Sequence, residues 1–116
     1  MKMYIAVLDE VPDFIVPTLV AHAVLGHHVK IYTPLWLEHG IGNECTELYS
    51  DWFHYSFKKC VLRVNQKEFD KISALSNVGL FHESNTLGGK KSCAVLVVDE
   101  DVPNVLKFAK LWKPEE

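Results

Sequence analysis

Residues 3–8 form an unbroken apolar run closed by Asp9, Glu10 and Pro12. A run of that length without polar alternation predicts a strand buried on both faces, which calls for helices on either side of its sheet. Pro17 suits the first turn of a helix, and residues 18–29 hold no further breaker except Gly26. Val20, Ala23, Val24 and His27 fall on one stripe of that helix, its expected core face. Residues 30–43 carry no single period. Ile31-Tyr32-Thr33 reads as a short extended piece, and Pro34, Gly40 and Gly42 interrupt any longer element. Residues 44–55 return to helical spacing through Leu48, Trp52 and Tyr55.

The second half is more regular. Residues 59–64 alternate with an apolar bias and stop at Asn65, which predicts a second strand. Asn65 is also a good N-cap for a helix over 66–75, with Glu68 placed to complete a capping box and Phe69, Ile72 and Leu75 as its buried stripe. Asn77-Val78-Gly79 turns the chain into a short third strand at 80–82, and 92–98 forms a fourth. A last helix is expected over 102–111, entered at Pro103, with Val105, Leu106, Ala109 and Trp112 as its core face. Strands alternating with helices in this order predict a layered α/β domain.

Composition narrows the picture without redirecting it. A chain of 116 residues, 48% hydrophobic and 23% charged, has the size and balance of one globular domain spanning 1–116. No apolar run approaches the roughly 20 residues of a membrane span and no signal peptide is legible, so a soluble, cytoplasmic protein is expected. Cys45, Cys60 and Cys93 are odd in number and form no CxxC pair, which fits a reducing compartment. The net charge of −3 argues against a binder that relies on bulk positive charge, while leaving room for a local basic patch. The histidines follow no metal-ligand spacing, and adjacent His27 and His28 would point about 100° apart on a helix, so neither metal nor cofactor is expected.

Candidate chemistry concentrates in residues 81–96, where Glu83, Thr86, Gly88, Gly89, Lys90, Lys91 and Ser92 lie between two strand-like runs. Gly88 and Gly89 permit positive φ and close approach of a ligand, or simply make a hairpin. Lys90 and Lys91 suit phosphate oxygens, joined by Lys58 and Lys59 if the strands bring them together. His22 lies on the first helix between Ala21 and Ala23, in a setting that serves packing as well as proton transfer.

The element order, together with Lys59-Cys60-Val61-Leu62-Arg63-Val64, the amphipathic helix ending before Gly79-Leu80, residues 83–96, and His22-Ala23 followed by Gly26, resembles the archaeal and eukaryotic (type II) peptidyl-tRNA hydrolases. The resemblance covers nearly the whole chain and rests on pattern more than on invariant residues. It implies a three-layer α/β/α fold around a mixed four-stranded sheet, and hydrolysis of the ester joining a peptide to the 3′ end of a tRNA. It further implies catalytic roles for His22, Glu83 and Thr86, and substrate contacts at Gly88, Gly89, Lys90, Lys91 and Ser92. Glu83 stands where the family carries an aspartate. Where the family has a lysine and a glutamine shortly before its helix histidine, this chain has Ile15-Val16-Pro17-Thr18-Leu19-Val20. An inactive member of the same fold that binds RNA or protein is the competing expectation. Trp52, Phe53, Tyr55 and Phe57 add more aromatic surface than one helix face can bury, which suggests a homodimer contact.

Overall fold

The computed structural model describes residues 1–38, 44–83 and 87–114. Strand β1, Lys2–Leu8, has six consecutive buried residues, as its apolar run requires. It pairs in parallel with β2, Lys59–Val64, and antiparallel with β4, Cys93–Val98. The three-residue β3, Gly79–Phe81, pairs antiparallel with β4, and the two-residue β5, Lys110–Leu111, pairs antiparallel with β2. The order is β3-β4-β1-β2-β5, a mixed sheet of five strands where four were expected.

Directly opposed residues share a sheet face. Met3, Ile5 and Val7 therefore face the same way as Val97, Val95 and Cys93, and as Gly79 and Phe81 beyond them. Helix α1, Val16–Glu38, covers this face, with the ring of His27 edge-on to Phe81. Helix α2, Glu44–Asp51, lies on it too, with Tyr49, His27 and Val97 around one small cavity. The opposite face carries Tyr4, Cys60 and Leu62, which face Pro103, Leu106 and Ala109 across an open trough. Leu106 belongs to α4, Asn104–Lys107, which packs against α3, Gln66–Ser73. The sheet thus lies between two helical layers.

The capping box forms as expected: the Asn65 side chain accepts from the Glu68 amide at 2.8 Å, and the Asn65 amide donates to Glu68 Oε1 at 3.0 Å. Phe69 and Ile72 are buried beneath it. On α1, Ala23 and His27 of the expected stripe are buried, while Val20 and Val24 are only half-buried.

Four expectations change. Helix α1 runs to Glu38, through the stretch read as extended; Pro34 removes one helical donor without ending the helix. Residues Asp13–Tyr32, with a mean hydropathy of 1.3, are long and apolar enough by length and composition to cross a bilayer, contrary to the reading that no stretch approaches that length. In this fold the same segment packs on β1, β3 and β4 through a buried side that includes Leu19 and Ala23. Helix α2 gives way to a wide π turn, Trp52–Ser56. The wider turn changes the helical phase, so Trp52 is buried and donates to the Lys58 carbonyl at 2.6 Å, while Tyr55 is 84% exposed. Finally, the expected C-terminal helix keeps one turn and then becomes β5, whose neighbour Trp112 donates to the Val61 carbonyl at 2.9 Å. That pairing satisfies backbone groups at an edge of β2 that a helix would leave open.

The contact between α1 and β3 is unusually close. A Cβ on Gly79 would collide with His27 Nδ1 and lie 2.8 Å from Phe81 Cε2, and one on Gly26 would lie 2.7 Å from Phe81 Cε1. Gly26→Ala and Gly79→Ala should each lower stability by about 1–3 kcal/mol, because the added methyl overpacks a filled seam. Urea denaturation of the two variants measures this, and unchanged midpoints would contradict it.

His27 makes the same seam acid-sensitive. Burial, with Lys30 and His28 adding repulsion, lowers its pKa from 6.5 to about 4. Between these values the unfolded chain takes up a proton that the folded chain refuses. The stability held above pH 6.5 is therefore lost as pH falls towards 4, by roughly 3 kcal/mol in all. Urea midpoints at pH 7.5 and 4.5 should fall further for the wild type than for His27→Leu. Equal falls in both proteins would rule out this role for His27.

Candidate functional site

The open side of the α1–β3 seam is a surface cleft of about 480 Å³. His22, Gly26 and Lys30 recur every four residues, so they line up along one side of α1. Leu25 and Val29 widen that wall, and Leu80, Phe81, His82 and Lys91 form the other. Phe81 is the apolar floor. The His22 ring meets it edge-on at 6.2 Å between centroids, and Lys30 Nζ lies 4.8 Å from its centroid. Lys91 Nζ is 3.3 Å from His82 Nδ1. An ammonium can only donate, so in this hydrogen bond Nδ1 accepts, which leaves Nε2 as the donor nitrogen of the ring.

Among the described residues, the cleft wall holds two lysines and two histidines and no carboxylate. This is the local basic patch that the net charge of −3 left room for. The larger trough on the opposite sheet face, about 720 Å³, mixes Lys2 and Lys107 with Glu100 and Asp101 on its walls and offers no such single sign. Cationic groups converging over an apolar floor suit an anion attached to a flat or apolar body.

The residues expected at the site divide. His22 and Lys91 line the cleft. Glu83 is half-buried, two residues beyond β3, and is not among the wall residues. Thr86 lies outside the described residues. Gly88 and Gly89 adopt φ of 62° and 80°, so their freedom is used by the turn, which the Lys90 amide closes on the Leu87 carbonyl at 3.1 Å. Lys90 reaches away from the cleft to Glu10 at 3.4 Å and ties the turn to the end of β1. Ser92 is buried. Its amide donates to the Phe81 carbonyl and its carbonyl accepts from Leu8, both at 2.9 Å, so it extends the sheet at a place a surface ligand does not reach. Lys59 does not join Lys91: it pairs with Met3 at the start of β1, whereas Lys91 lies beside Cys93 and Val7 at its far end.

Lys30, Phe81 and His82 were not expected as site residues. The signal for Lys30 was its helical spacing from His22, lost when the helix was ended at residue 29. Phe81 and His82 read as strand residues, and only the approach of α1 turns them into a cleft wall.

Among the described residues, no three His, Cys, Asp or Glu side chains gather to hold a metal ion. Neither described thiol is poised as a nucleophile. Burial pushes the Cys93 pKa up to about 12, and burial also raises that of Cys60 against the opposing charge of Lys2. Fold and cleft together define a mixed α/β sheet protein with a cationic cleft at one edge. A scan of protein-family models finds no match to the chain, and no curated protein matches its sequence.

Cys93 should stay unmodified by iodoacetamide in the native protein at pH 8 and react fully in denaturant, as read by mass spectrometry of its peptide. Rapid native labelling would show that the β1–β4 core opens far more readily than its burial implies.

Proposed function

We propose that the chain is a peptidyl-tRNA hydrolase-like protein, working in the cytoplasm, whose α1–β3 cleft receives the 3′ end of a tRNA and hydrolyses the ester to its attached peptide. The observation that carries this reading is the convergence of His22, His82, Lys30 and Lys91 on one apolar-floored cleft. Lys30 and Lys91 would meet phosphate oxygens, while the floor and Leu25 take an apolar or ring portion of the substrate. His22 would accept a proton from water as that water attacks the ester carbonyl. The oxyanion would be met by the Lys91 ammonium or the His82 Nε2 proton. Collapse of the adduct expels the ribose oxygen, which takes the proton back from His22, leaving free peptide and free tRNA.

A second reading, RNA binding without turnover, is favoured by one specific feature. The apolar stretch from Ile15 to Val20 stands where the family has a lysine and a glutamine, and each missing charge-assisted contact is worth about 1.5–3 kcal/mol.

Purified protein incubated with a peptidyl-tRNA should release free tRNA, and His22→Ala should slow that release by about 100-fold or more. Release no faster than the His22→Ala background removes the hydrolase reading. Salt-sensitive tRNA binding would then support the second reading, and no tRNA binding at low salt removes both. In the double variant Lys30→Gln/Lys91→Gln, binding should weaken and the slope of log affinity against log salt should drop by about 1.5, as expected for two lost phosphate contacts.

A further inference from the structure

On the α2 side of α1 the structure carries a second concavity, separate in chemistry from the cleft and sharing only Leu25 with it. Ala21, Val24, Leu25 and His28 form one wall of this groove of about 320 Å³. Tyr49 and Trp52 are its buried floor, and Phe53 and Phe57, 39% and 51% exposed, form the far rim. The lining is almost wholly apolar and aromatic, and the size lies at the small end of small-molecule pockets.

Two polar features interrupt that lining. His28 Nδ1 and the Tyr49 hydroxyl share a hydrogen bond of 3.0 Å and so largely satisfy each other. Lys59 does not resemble them. Its Nζ sits 3.5 Å from the Phe57 centroid and 5.8 Å from that of Trp52, and donates one hydrogen bond of 2.9 Å to the Phe57 carbonyl. An ammonium has three donors; with one on the carbonyl and one towards the Phe57 ring face, a third is left at the mouth of the groove, and among the described residues no carboxylate pairs with it.

A second, independent observation concerns the backbone. Phe57 holds φ at 57°, in the left-handed region where helix ends ordinarily place glycine. A bulky residue there is an outlier, and such strain collects where a side chain is held for use. Here it brings both the Phe57 ring and its carbonyl to Lys59.

We propose that this groove binds a small apolar carboxylate, with its hydrocarbon body along Tyr49, Trp52, Phe53 and Phe57 and its carboxylate on the free donor of Lys59. Charge complementarity selects this occupant, because an apolar groove with a single cation at its end matches a molecule with an apolar body and a single anionic head. The proposal stands apart from the tRNA reading and does not require it.

Decanoate and decanol, titrated below the micelle concentration of decanoate, are the probes, with tryptophan fluorescence and calorimetry as readouts. Lys59→Gln should weaken decanoate about 5- to 10-fold and leave decanol within about two-fold, as expected for loss of one partly exposed charge-assisted contact. Lys59→Arg should restore decanoate binding, and Phe53→Ala should weaken both probes. Equal effects of Lys59→Gln on the two probes, or no saturable decanoate binding to the wild type, would overturn the proposal. So would a dimer, seen by sedimentation, that Phe53→Ala dissociates and decanoate does not, because the groove would then be occupied by a second copy of the chain.

Discussion

The arrangement depends on how closely α1 lies against β3. Gly26 on the helix and Gly79 on the strand leave no room for even a methyl group, and the space goes to the rings of His27 and Phe81. His27 meets Phe81 on one side and Tyr49 on the other, both edge-on. From Tyr49 the ring contacts continue to Trp52, and from Trp52 to Phe57. One tightly packed seam therefore sets the floor of the cationic cleft and, through the aromatic chain, the floor of the groove on the other flank of the helix. A histidine in such a place is held neutral by its surroundings, so the seam combines tight packing with sensitivity to acid.

Chemistry that the sequence concentrates in residues 81–96 is spread by the fold over two elements. The glycine turn spends its conformational freedom on itself, and Lys90 is drawn to Glu10. What faces outward is the seam: His22 and Lys30 from α1, His82 and Lys91 from the strand side. A helix, and positions within two residues of the paired ends of β3 and β4, hold such groups more firmly than a loop tip does, which suits positioning a substrate.

Elements whose signal is local were legible in the sequence. The run at 3–8 announced a strand covered on both faces, Asn65 and Glu68 announced a helix start, and Ala23 with His27 announced a core-facing stripe. What was missed depends on contacts distant in sequence. Nothing in Lys110-Leu111 reads as a strand; they become one because β2 offers an edge. The phase change at Trp52 comes from a widened turn that periodicity cannot register. Glu83 and Ser92 were expected from the family resemblance; Ser92 is buried in the sheet and Glu83 stands outside the cleft wall, because that wall is made by neighbours in space. His22, to which the same resemblance pointed, lines the cleft, and Lys30 beside it was passed over with the premature end of its helix.

The two outer strands of the sheet are its shortest, three residues in β3 and two in β5. Each leaves only a few backbone donors and acceptors facing outward, too short a template for another chain to extend the sheet by hydrogen bonding. Strand β1, apolar from Met3 to Leu8 and the dangerous strand if exposed, is paired along both edges, while β4 is paired with β1 along its length and with β3 over residues 93–95. Strand order thus guards this apolar sheet against edge-to-edge aggregation, leaving the helix-covered face free to carry both concavities.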